Sequence, residues 1–127
     1  MTLSDRVHDL AVRVGQELKE VPLPGIVEAV ATTVDRAVAP SDAGKAVEVN
    51  STSARTVTLP SGTDTPVGMV VEITRLGAGD VSIIAGAGAA IRWAGEGTPM
   101  LRAQYSVCTA RKRSATEWVL AGDLEAA

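Results

Sequence analysis

PVGMVVEITRLGAGDVSIIAGAGAAIRW, residues Pro66 to Trp93, alternates in steps of two and is cut twice by glycine pairs. Val67, Met69, Val71 and Ile73 fall on one face of its first half; Gly68, Val70, Glu72 and Thr74 fall on the other. Val81-Ser82-Ile83-Ile84-Ala85 repeats the pattern after Gly77-Ala78-Gly79-Asp80, and Ala90-Ile91-Arg92-Trp93 follows Gly86-Ala87-Gly88. Period-two alternation rich in Val and Ile and bounded by Gly is the strand signature. Glycine accepts the positive φ that tight turns demand. The stretch therefore reads as a β-hairpin with a glycine turn, then a second glycine turn into another strand.

Outward from it the same grammar holds. Thr32 to Val38, Ala46 to Asn50, Thr56 to Leu59, Leu101 to Ala110 and Glu117 to Ala121 read as strands; residues 26–31 fit either a helix start or a strand. Pro40 to Lys45, Ser51 to Ser53, Ser61 to Thr65, Ala94 to Pro99 and Arg111 to Thr116 read as turns and loops. Seven or eight short strands at this spacing predict a mainly β fold, a small antiparallel sandwich or barrel-like domain over residues 26–127.

Residues 1–25 read differently. Leu3, Val7, Leu10, Val14 and Leu18 recur at helical spacing, Thr2 stands where a cap would, and Val21-Pro22-Leu23-Pro24-Gly25 ends the pattern. The expectation is a short amphipathic helix and a proline-stiffened connector. Packing on its own domain, a short coiled coil, or docking in a partner's groove would each bury its stripe.

Two Trp, one Tyr and no Phe make a thin core for 127 residues. Aromatics bury about 150–250 Å² each and usually dominate small cores. Met69-Val70-Val71 and Ile83-Ile84 are apolar on both faces, and one small sandwich covers only one face of a strand. The second face calls for another subunit, so Met69, Val71, Ile73, Val81 and Ile83 are candidates for core or subunit interface.

Composition narrows the function. A formal charge of -3 argues against binding a phosphate backbone, which takes clustered Lys and Arg. No apolar run reaches the roughly 20 residues of a membrane-spanning helix, and the N-terminus lacks a signal-peptide pattern. Cys108 and His8 each stand alone, which leaves no multi-cysteine metal site and no evident nucleophile–base pair. Gly77-x-Gly79 and Gly86-x-Gly88 complete no dinucleotide fingerprint. Glu48, Glu72 and Glu117 fall in strands with no pairing that sequence assigns; Arg111-Lys112-Arg113 reads as a solvated basic turn. The expectation is a non-enzymatic protein with no cofactor, metal, nucleic-acid or membrane partner.

One ordered series of motifs adds to this. Asp42-Ala43-Gly44-Lys45 leads into Val47-Glu48-Val49-Asn50 and Thr56-Val57-Thr58-Leu59-Pro60. Pro66-Val67-Gly68 leads into Val71-Glu72-Ile73, Leu76-Gly77-Ala78-Gly79 and Val81-Ser82-Ile83. Glu117-Trp118-Val119-Leu120-Ala121-Gly122-Asp123-Leu124 closes the chain. Over roughly Thr32 to Leu124 this series resembles the small β-domains of tailed-bacteriophage head fibres, capsid decorations and minor tail proteins, with a composition like that of phages of high-GC actinobacterial hosts. The resemblance implies a homotrimeric virion structural protein on the outer surface of the capsid, assembled in the host cytoplasm. It implies an N-terminal segment that anchors the domain to the major capsid protein or another virion protein. The alternative it carries is a minor tail or tail-fibre component that binds the host surface.

Overall fold

Val70–Arg75 and Val81–Ala85 are both strands, as their alternation predicts, but they do not pair with each other. The computed structural model describes residues 26–127. Eleven strands run through them: β1 Ala29–Thr32, β2 Arg36–Ala37, β3 Ala46–Val49, β4 Arg55–Leu59, β5 Val70–Arg75, β6 Val81–Ala85, β7 Ala90–Arg92, β8 Pro99–Leu101, β9 Val107–Lys112, β10 Glu117–Gly122 and β11 Leu124–Ala126. They form a six-stranded sheet in the order β1-β3-β5-β9-β10-β7 and a five-stranded sheet in the order β11-β8-β6-β4-β2. The domain is mainly β and sandwich-like.

The chain crosses from one sheet to the other at nearly every step. β1, β3 and β5 lie side by side and parallel in the first sheet. β2, β4 and β6 do the same in the second. Each first-sheet strand with its second-sheet successor is thus one coil of a short solenoid. Val47 lies beside Ile73 and Val57 beside Ile83. Ser61 Oγ donates to the Ala87 carbonyl at the same 26-residue offset. Antiparallel strands then close the far side: β9 pairs with β5, β10 with β9, β8 with β6 and β11 with β8.

Both sheets are therefore mixed, which corrects the antiparallel expectation. The predicted hairpin fails for a local reason. After β5 the amides of Leu76 and Gly77 both donate to the Val49 carbonyl, at 2.8 and 3.3 Å, and Gly79 donates to Ser51 at 2.8 Å. The glycine segment lies along the arc beneath it instead of folding back on β5. A Cβ at Gly77 would stand 2.5 Å from the Ser51 amide nitrogen, so only glycine permits the approach.

Three other boundaries move. The expected strand from Thr32 to Val38 is broken by a bend at Thr33-Val34, where the Val34 amide turns back to Thr32 Oγ1. The expected strand from Leu101 to Ala110 is two strands in different sheets, with a turn between them closed by Ser106 on Ala103 at 3.0 Å. Arg111 and Lys112 belong to β9 rather than to a turn. Residues 26–28 lead into the edge strand β1. The expected helix and connector lie outside the described residues.

Between the sheets sits one core. Val47, Val49, Val71 and Ile73 of the first sheet join Val57, Leu59, Val81 and Ile83 of the second, and Trp118 belongs to the same core, fully buried as its apolar strand predicts. Trp118 Nε1 finds a partner in the Pro60 carbonyl at 2.8 Å, the usual requirement for a buried indole.

Candidate interaction faces

The residues singled out in the central stretch fall in the core. Met69, Val71, Ile73, Val81 and Ile83 are all buried within one copy of the chain. Leu3, Val7, Leu10, Val14 and Leu18 lie outside the described residues, as does His8. The positions that look outward are the ones between the core residues, and register assigns them to rows.

On the six-stranded sheet one row runs Ala29, Ala46, Glu72, Thr109, Ala121. The adjoining row runs Val70, Arg111, Val119, Arg92. Val70 is exposed beside Val27, and the two line a shallow hollow with Gly44, Lys45, Glu72 and Thr109. On the five-stranded sheet the outward rows are Thr56, Ser82, Met100, Glu125 and Ala37, Thr58, Ile84. Glu125 is the one charge in those two rows, and Ile84 is exposed. Val70 and Ile84 are the residues that make their strands apolar on both sides, and each stands on the outer face of a different sheet.

Two cations are buried where the sandwich would otherwise open at its ends. Lys112, beside the start of β5, is fully buried; its ammonium donates to the Thr65 carbonyl at 2.6 Å, to Thr65 Oγ1 at 2.7 Å, and to the Gly62 carbonyl. Three acceptors match the three donors of an ammonium. Arg75, at the other end of β5, donates to Ala78 at 2.7 Å and Leu101 at 3.2 Å and stands 3.5 Å from Asp80. Reading Arg111-Lys112-Arg113 as a turn hid this role. The alternation Cys108, Ala110, Lys112 was the signal, since it puts Lys112 on the inner face.

Cys108, Glu117 and Asp123 are held by the fold itself. Burial, and secondarily the Glu72 charge, pushes the Cys108 thiol up to about 12, far from the thiolate a nucleophile needs. Glu117 accepts from Arg113 at 2.9 Å and lies 3.5 Å from Arg92. Asp123 accepts two bonds from Arg102, each at 2.8 Å, and one from Ser106 at 2.7 Å. The Arg102 bond, then the Ser106 bond, holds its carboxyl below the ordinary range. Among the described residues no three His, Cys, Asp or Glu side chains gather as metal ligands would.

Tyr105 stands apart. Expected on a strand, it is 69% exposed at the tip of the turn before β9. Its φ of 71° is the one positive value at a non-glycine position among the described residues. Its amide donates to the Arg75 carbonyl at 2.6 Å, and Gln104 Nε2 beside it donates to Leu76 at 2.9 Å. What the molecule offers to a partner is thus two outward sheet faces, open strand edges and one projecting aromatic.

No protein-family model matches the chain, and no curated protein matches it significantly.

Proposed function

We propose that the protein is a non-enzymatic structural component of a bacteriophage virion: a homotrimer on the outer capsid surface, mounted on the major capsid protein or another virion protein through its N-terminal segment. The observation that supports this best is the position of Val70 and Ile84, apolar and exposed on the outer faces of the two sheets, Ile84 beside Thr58 and Ala37 and Val70 beside Val27 with Arg111 opposite. Such faces suit permanent contact with further protein. Burying apolar area is worth roughly 25 cal/mol per Å², so a few hundred Å² per subunit contributes several kcal/mol to assembly. The motif series from Asp42 to Leu124 supports the virion context.

Gold-labelled antibody against the protein, applied to intact phage particles, tests the reading. Label over the heads is expected. Unlabelled particles overturn it. Label confined to tails would favour the second reading, a tail component that binds the host surface, for which the projecting Tyr105 is the supporting observation. Changing Val70 and Ile84 together to Lys should abolish the threefold contact with little loss of fold, because both side chains already face solvent in a single copy.

A further inference from the structure

Among the described residues the first coil of the solenoid is an end without a cap. β1 is the outermost strand of one sheet and β2 of the other. Solenoids ordinarily end in a polar or covered repeat, since an open end exposes apolar side chains and unpaired backbone. Here the opposite holds. Ile26, Val27 and Val34 flank β1 and are 62%, 52% and 58% exposed. β1 itself reads Ala-Val-Ala-Thr, with none of the Lys, Pro or bulges that usually blunt an edge.

The backbone directions are fixed by the bonds β1 already makes. The Ala46 amide donates to the Glu28 carbonyl at 2.8 Å and the Asn50 amide to Thr32 at 2.9 Å. Backbone polarity alternates along a strand, so Glu28, Val30 and Thr32 turn toward β3. Ala29 and Ala31 turn their N–H and C=O groups to the open edge.

We propose that a second copy of this chain occupies that edge, its β1 antiparallel to the first about a twofold axis through Val30. The register follows from which groups are free. Ala29 faces Ala31 of the other copy, and the two exchange N–H to C=O bonds; the twofold repeats this, giving four bonds. Val30 faces Val30 and Glu28 faces Thr32, and the ladder ends where the chain bends at Thr33-Val34. No like charges oppose one another, and the exposed Ile26, Val27 and Val34 lie at the ends of the paired strands. A sequence that faces itself this well is the mark of an isologous contact. The pairing continues the six-stranded sheet into a twelve-stranded one. It leaves Val70 and Ile84 free for the threefold contact above and does not rest on a virion role.

Native mass spectrometry of the full chain, with two variants, tests it. Even-numbered species are expected for the natural sequence: a dimer, or a hexamer where the threefold contact also forms. Ala31→Pro removes an edge-facing N–H that one copy leaves free, a place where a strand tolerates proline, and should halve the assembly. Val30→Cys should oxidise to a disulfide-linked dimer, because residues facing each other in a non-hydrogen-bonded antiparallel pair lie about 4.5 Å apart at Cα, within disulfide reach. Val27→Cys, three residues from the twofold axis and so far from its counterpart, should cross-link at least tenfold more slowly; the natural Cys108 is buried and should not compete. Monomers or trimers alone for the natural sequence, or equal cross-linking by the two cysteine variants, would overturn the proposal. Should Ala31→Pro fail to fold, the cysteine pair still decides.

Discussion

Gly77 lies directly against Ser51: a Cβ at Gly77 would stand 2.5 Å from the Ser51 amide nitrogen and 2.8 Å from its carbonyl carbon. The contact is backbone on backbone, between two arcs that carry the chain from one sheet to the other. Gly79 is held the same way, with an added Cβ 2.6 Å from the Ser53 carbonyl carbon. Neither glycine has a left-handed φ. They are required for closeness and not for their backbone angles.

Gly77→Ala and Gly79→Ala should therefore each destabilise the fold by about 1–3 kcal/mol, the usual cost of forcing atoms into a packed site. Gly44→Ala, at φ 72° but with open space around it, should cost about 1 kcal/mol, the left-handed penalty alone. Urea unfolding of the three variants checks the order.

Lys112→Met should lower stability by about 1–3 kcal/mol, since it strands buried acceptors of Gly62 and Thr65 that nothing else in the loop satisfies. The loss should be local first. Hydrogen exchange should quicken across residues 60–68, where the Gly68 amide bonds to the Lys112 carbonyl, before it changes in β3 or β4.

Cys108 should make stability fall with alkali. Its folded pKa is raised from 9.0 to about 12. The neutral thiol favours the folded state, so its contribution is complete below pH 9 and is lost as pH rises from 9 toward 12. Denaturant midpoints compared between the natural chain and Cys108→Ala should show a gap that narrows over that window. Native protein should react with a thiol reagent only as fast as it opens.

Tyr105→Gly should stabilise the protein. A left-handed tyrosine costs roughly 1–2 kcal/mol, against which glycine's extra unfolded freedom takes back about 0.5–1 kcal/mol. Little packing is lost, because the ring projects into solvent. A melting temperature raised by a few degrees is the expected result. If Tyr105 is a contact residue, the same variant should weaken attachment to host cells while stabilising the fold.

Val71, Ile73, Val81 and Ile83 were legible in sequence because alternation is local: the pattern that makes a strand also says which side is wet. Pairing was not legible. A glycine-rich segment between two strands serves a hairpin and an arch equally well, and only the partner of the next strand distinguishes them. Traces of the coil were present. Val47 and Ile73, Thr56 and Ser82, Val57 and Ile83, and Gly62 and Gly88 keep step at one fixed interval. The arc positions break the likeness, because Ser51 and Ser53 stand where the next coil needs Gly77 and Gly79. Val70 and Ile84 were read rightly as apolar on a second face, though sequence alone does not say what covers them. Lys112 was missed because a charge between two arginines looks solvated, and the three carbonyl and hydroxyl partners that hold it come from a loop far away in sequence.

The passage of the chain between sheets has a consequence in time. Through the first eight strands no strand pairs with the one made just before it, so the growing polypeptide has no local ladder to rest on. β9 and β10 make the only hairpin between neighbouring strands in the described residues, and they emerge from the ribosome after the eight strands before them. β5 waits for β9 to cover its free edge, and β7 waits for β10 before it has any partner. Non-local pairing of this kind is slow, and it leaves sticky edges bare while it proceeds. A message truncated before Val107 would yield a chain whose parallel coils have no far wall. Such a product should accumulate as aggregate where the full-length chain accumulates as folded protein.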